Sequence, residues 1–254
     1  MKTKIMFISV LTLLLTCATA FAVPINPFNT RQVPVTIPSP DGAGTDLQAI
    51  LNTIYLGSGP IAGTDQQSAG MWGVASLPGG TIPAMAFEYA NFASQNIFGI
   101  WSDADMDDAT LPTMVDIFFG SASSGDQAGV AWDPTGLLHI ATVIGDPGDI
   151  NAGVFPGINP SSFGFYLRRS GGPTFFTVDQ LNGGNAQAIA FLKPSTGVWA
   201  LAFEDTALAT ADKDYNDMVV KIESIQAVPE PATMLLLGSG LLGLAGFARK
   251  KFKK

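Results

Sequence analysis

Apolar residues first recur at helical spacing. Leu47, Ile50, Leu51, Ile54 and Tyr55 share one face of a helix that Thr45 caps and Gly57 stops. Met85, Tyr89 and Phe92, following Pro83, predict a second helix by the same spacing. From Asn96 onward the pattern changes to short β-favouring runs. Strands are predicted over 97–101, 114–119, 128–132, 137–143, 163–168, 174–178, 188–192, 198–203 and 218–222. Turn formers such as Asp133-Pro134-Thr135-Gly136 and Asp146-Pro147-Gly148 separate them. Many short strands at close spacing, with no internal repeat, predict a mainly β domain over 45–226, a β-sandwich or jelly roll with one or two short N-terminal helices. The Pro-rich segment 23–44 lacks periodicity and reads as an extended leader.

The late strands have a clear orientation. Trp199, Leu201 and Phe203 alternate onto one face, the expected core side, with Val198, Ala200, Ala202 and Glu204 on the other. Glu204 and Asp205 therefore leave the strand end on opposite sides. Met218, Val220 and Ile222 are expected inward, and Val219, Lys221 and Glu223 outward.

Charge changes the picture at the two ends. Of 13 cations, Lys2 and Lys4 stand at the start, and Arg249, Lys250, Lys251, Lys253 and Lys254 at the finish. The stretch 23–228 keeps 6 cations against 20 of the 21 acids, a balance of −14. That excludes a phosphate-binding, nucleic-acid partner. Lys2 and Lys4, the apolar run 5–15 and Ala20-Phe21-Ala22 form a secretory signal peptide over 1–22, cleaved after Ala22 or, alternatively, Ala20. The secretion translocon and signal peptidase are its partners. Cys17, the only Cys, leaves with it, so no disulfide is expected.

The segment 228–254 holds Pro229-Glu230-Pro231, an apolar run over 232–248 and the basic tail 249–254. As a helix the run is about 26 Å long, enough for a transmembrane helix with snorkelling flanks. The basic cluster should stay cytoplasmic, with the body outside the inner membrane. Gly238-Ser239-Gly240-Leu241-Leu242-Gly243 matches the dinucleotide fingerprint, but it lies in this span and not in a βαβ unit. The three-part arrangement resembles the PEP C-terminal sorting signal (PEP-CTERM) of exported bacterial proteins. The resemblance implies recognition by an exosortase-type membrane protease, removal of the tail, and release or attachment at the cell surface. It also implies a host that makes exopolysaccharide or biofilm.

The densest chemistry lies between the last two strands. Phe203-Glu204-Asp205 is followed, six residues on, by Asp212-Lys213-Asp214-Tyr215-Asn216-Asp217. Oxygen side chains on alternate loop positions can converge on a hard cation. The opening matches an EF-hand loop until Asp217 takes the place of the required Gly and a strand replaces the helix. A Ca²⁺ site is expected through Asp212, Asp214 and Asn216, with Asp205, Asp217 or Glu204 assisting; the alternative is a metal-free, hydrogen-bonded turn. A second acidic run, Asp103 to Asp108, reads as a solvated turn. F-E-D followed by D-x-D-Y-N-D before a closing strand resembles an uncharacterised domain family of exported bacterial proteins. Leu47-Gln48, the 96–101 stretch, Phe163-Gly164-Phe165-Tyr166 and Phe175-Phe176-Thr177 fit the same resemblance. It implies metal binding by the acidic loop and assigns no reaction.

Catalysis has little to stand on. The mature chain has no Cys, His139 is the single His, and no G-x-S-x-G occurs. A Ser–His–Asp triad through His139 and a carboxylate pair drawn from Glu88, Glu204 or an Asp are the formal enzyme readings. The expected function is a non-catalytic, surface-sorted structural or matrix protein linked to exopolysaccharide. The alternative is a Ca²⁺-dependent carbohydrate-binding module, for which Trp72, Trp101 and Trp132 are candidate exposed aromatics; a carboxylate-based glycoside hydrolase is weaker.

Overall fold

The Asp46 side chain accepts a hydrogen bond from the Ala49 N–H at 2.6 Å and starts helix α1 (Leu47–Ile54). Asp46, not Thr45, is thus the cap: it stands one residue nearer, at extended backbone angles that aim its carboxylate at the free amides. Leu56 and Gly57 both adopt positive φ and end the helix. The computed structural model describes residues 35–37, 46–57, 59–74, 79–81, 84–88, 93–103, 112–193, 195–223 and 226–227. The signal peptide, most of the leader, the 104–108 acids and the sorting tail lie outside these residues. Among the described residues no helix is long and apolar enough to cross a membrane.

After α1 the described elements are strands, apart from short 3-10 turns at Ala93–Gln95 and Asp179–Asn182: β1 (Gln67–Ser68), β2 (Trp72–Gly73), β3 (Gly79–Thr81), β4 (Ala84–Glu88), β5 (Asn96–Ser102), β6 (Thr113–Phe118), β7 (Gln127–Trp132), β8 (Leu138–Ile144), β9 (Gly153–Phe155), β10 (Gly164–Arg169), β11 (Thr174–Phe176), β12 (Ala188–Lys193), β13 (Val198–Phe203), β14 (Met218–Ile222) and β15 (Gln226–Ala227). One sheet runs β1-β12-β13-β14-β4-β7-β8-β9, with β3 also on β7; the second runs β11-β10-β5-β6; β15 pairs with β2. Every described pairing is antiparallel.

The two large sheets face each other across one core. Trp199, Leu201 and Phe203 of β13, and Met218, Val220 and Ile222 of β14, meet Phe98, Ile100, Phe165 and Leu167 of the second sheet. The alternation read from β13 and β14 holds for these residues. The rings of Phe98 and Phe165 stack with centroids 5.4 Å apart, and Phe98 meets Phe203 edge-on across the sheets.

The helix after Pro83 is not formed: Ala84–Glu88 is strand β4, paired to β14 from Met218↔Glu88 to Lys221↔Ala84. A place between β14 and β7 supplies backbone partners that an isolated short helix lacks, and it overrides a three-residue helical spacing. Val219 is also not on an outward, exposed face. It is buried with Ile189, Phe191, Ala200 and Ala202 beneath Leu47, Ile50, Leu51 and Tyr55 of α1. The helix makes the second side of β12–β14 another core. The Tyr55 hydroxyl, donating to the Phe191 carbonyl at 2.9 Å, ties the helix end to the sheet.

Trp72, Trp101 and Trp132 are all buried, so they form no exposed aromatic row. Trp132 Nε1 donates to the Ile158 carbonyl and Trp101 Nε1 to that of Phe165. The Trp72 Nε1 is buried without a hydrogen-bond partner among the described residues, and its ring is held by edge contacts with Phe165 and Trp199.

Candidate metal site

Strand β13 ends at Phe203, and Glu204 takes the next position on the face opposite the sandwich core. Its N–H donates to the Gln187 carbonyl, continuing the β12–β13 pairing by one residue. Gln187 then fastens the start of the loop, its Nε2 donating to the Thr206 carbonyl and its Oε1 accepting from the Leu208 N–H, each at 2.8 Å. Nothing in the local sequence marks Gln187; only the β12–β13 register places it beside Glu204.

The loop returns through Lys213 and Tyr215, both non-glycine residues in left-handed backbone, at φ 67° and 55°. The Tyr215 side chain is buried in the core under α1, where its hydroxyl donates to the Ala186 carbonyl at 2.6 Å. That anchor fixes Asp214 and Asn216 on either side of it. The Tyr215 N–H donates to Glu204 Oε1, also at 2.6 Å.

Carboxylate oxygens of Glu204, Asp212 and Asp214 all lie within 4.8 Å of one another. Glu204 is 0% exposed and Asp214 5%, while Asp212 is open to solvent. The second oxygen of Glu204, Oε2, is buried and has no hydrogen-bond partner. Burial, with the Asp212 and Asp214 charges adding to it, pushes the Glu204 carboxyl up to about 7, against the pull of the Tyr215 and, more weakly, the Lys213 backbone N–H. Burial also raises Asp217, and the charges of Asp205, Glu204 and Asp212 add to that.

These residues fit a hard cation. Oxygens on opposite sides of one Ca²⁺ stand about 4.8 Å apart, so these carboxylates are gathered on the scale of a single ion and would close on it with a small inward shift. Without a counter-charge, two carboxylates at that separation repel by about 3 kcal/mol even at an effective dielectric constant of about 20, and by less where Asp212 meets solvent.

The other expected ligands are used differently. Asn216 donates its N–H and its Nδ2 to the Asp214 carboxylate, which orients Asp214. Asp205 leaves the strand end on the other side, as the alternation required, and accepts from Asn96 Nδ2 and Thr206 Oγ1, each at 3.0 Å. Asp217 Oδ2 accepts from the Asp205 N–H at 2.9 Å. The arrangement thus gathers Glu204, Asp212 and Asp214, and sets Asn216, Asp205 and Asp217 in the bracing around them. His139 sits exposed on β8, 3.1 Å from the Asp133 carboxylate. The Thr135 hydroxyl first, then His139, hold that carboxylate well below its usual range. Glu88 is in β4.

Residues 227–250 match the PEP-CTERM protein-sorting motif, and residues 155–225 match the Domain of unknown function (DUF4114). The second match takes in β10 to β14 and the whole acidic loop; α1 and β5 lie before it. No curated protein and no solved structure matches the chain. The PEP-CTERM motif is the substrate signal for exosortase and implies export with membrane-anchored sorting. The chain is an exported PEP-CTERM protein, an exosortase substrate by its motif, whose body carries a DUF4114 domain.

Proposed function

We propose that the body is a non-catalytic structural domain of the cell surface or extracellular matrix, associated with exopolysaccharide, and that Ca²⁺ bound by Glu204, Asp212 and Asp214 locks its last loop. The observation that carries the metal reading is Glu204 Oε2. A buried carboxylate oxygen that makes no hydrogen bond among the described residues, beside two further carboxylates, is costly unless a cation completes it. Water and backbone oxygens would supply the remaining ligands that Ca²⁺ takes. An acid–base reading is less well supported. A carboxylate with no accessible surface cannot meet a glycosidic oxygen, however well its raised pKa suits an acid. The aromatic platform expected of a carbohydrate module is not supplied by Trp72, Trp101 or Trp132.

Titration calorimetry of CaCl₂ into chelator-treated protein tests the reading. One site per chain is expected, with Kd on the order of 0.1–1 mM. Heats no larger than those of the Asp212→Ala/Asp214→Ala variant would refute it.

A further inference from the structure

The second sheet carries a polar cluster that the acidic loop does not touch. Tyr166 of β10 pairs with Gly99 of β5, and Gly99 pairs with Asp116 of β6. The Tyr166 ring fills the space a Gly99 side chain would occupy: a Cβ there would stand 2.3 Å from it. Lying across β5, the Tyr166 hydroxyl donates to Asp116 Oδ1. Arg168 closes the group with a fork, Nε to Oδ1 at 3.2 Å and Nη2 to Oδ2 at 2.7 Å. Burial first, then the Asp116 carboxylate, pushes the Tyr166 phenol far up, so it remains a neutral donor.

This floor underlies a cleft of about 400 Å³, bounded also by Asn151, Phe155 and Thr174. The volume falls within the range of small-ligand sites. Arg168 uses two of its five N–H groups on Asp116. Asn151 donates its Nδ2 to the Asp116 carbonyl, leaving its amide oxygen as an acceptor. Thr174 adds a hydroxyl. Half-buried Phe155 lies with its ring against Gly153, where a Cβ would be 2.9 Å away, and gives the cleft an aromatic wall.

Charge decides what fits. Arg168 and Asp116 neutralise each other, so the pair offers little net attraction to an anion or a cation. A ligand with many hydroxyls, which donate and accept in alternation, and with a C–H face for the ring, meets every group present. We propose that this cleft binds a neutral saccharide unit, hydrogen-bonded by Arg168, Asn151 and Thr174 and stacked on Phe155. It is a separate site from the acidic loop and independent of its metal.

Saturation-transfer NMR tests this on the full chain, held in a detergent without a sugar headgroup. The probes are glucose, galactose, mannose, N-acetylglucosamine, cellobiose and maltose, with glucuronate as the charged control. At least one neutral sugar should receive saturation, unchanged by chelator, with binding weakened at least tenfold in Arg168→Lys. The shape-conserving Thr174→Val and Phe155→Leu should weaken it severalfold, and they keep the test valid if Arg168→Lys fails to fold. No transfer to any neutral sugar, equal transfer in the folded variants, binding of glucuronate alone, or loss of binding in chelator would each overturn the proposal.

Discussion

Tyr215 donates its backbone N–H to Glu204 Oε1 at 2.6 Å, so the returning loop is fastened to the end of β13 through one oxygen of a buried carboxylate. The other oxygen, Oε2, is buried and makes no hydrogen bond among the described residues, and the carboxylate stands beside those of Asp212 and Asp214. Loop closure and carboxylate clustering are therefore one feature, and the charge of Glu204 is what a cation would offset.

Glu204→Gln should separate the two roles. The amide oxygen can still accept from Tyr215, and the variant removes the buried charge. In chelator the variant is expected to be more stable than the parent above neutral pH, by up to about 3 kcal/mol, the value of a carboxyl raised from 4.5 to about 7. Its Ca²⁺ affinity should fall at least tenfold. Denaturant melts and calorimetry measure the two effects.

The same shift gives a pH dependence with a definite sign. Because the folded pKa lies above the unfolded one, the folded state holds the proton more tightly. The associated stability is fully present below about 4.5 and is lost as pH rises through about 7. Melting midpoints in chelator should therefore decline across that window, and saturating Ca²⁺ should remove most of the decline. A midpoint in chelator that rises steadily from pH 5 to 8 would contradict this.

Gly99→Ala should destabilise the protein by about 1–3 kcal/mol, since the new methyl would overlap the Tyr166 ring. Near-ultraviolet circular dichroism should change with it as the ring moves from Asp116.

Leu51→Ala removes a fully buried side chain from the core between α1 and β12–β14, and should cost about 2–5 kcal/mol. A loss under 1 kcal/mol would mean that the helix adds little to the sheet.

Much of this was legible from residue order, because alternation in β13 and β14 reports which side meets the core. It correctly separates Trp199, Leu201 and Phe203 from Glu204, and Glu204 from Asp205. It could not reveal that α1 covers the second face, which is why Val219 looked exposed and is buried. At β4 the helical spacing misleads, because three apolar residues carry less weight than two neighbouring strands. At the site, sequence proximity pointed to Asn216 as a ligand, whereas backbone turns at Lys213 and Tyr215 direct it to Asp214. The Tyr166–Asp116–Arg168 group joins residues some 50 positions apart, linked only by β-sheet register.

Thermal melting of the protein in chelator and in 10 mM Ca²⁺ decides whether a cation completes the Glu204, Asp212 and Asp214 cluster. A ligand of about 0.1–1 mM affinity that binds only the folded state should raise the midpoint by roughly 3–10 °C, and the rise should vanish in Asp212→Ala/Asp214→Ala. A midpoint that does not move with Ca²⁺, or that moves equally in the double variant, would contradict the account and leave the loop an acidic turn held by its own hydrogen bonds.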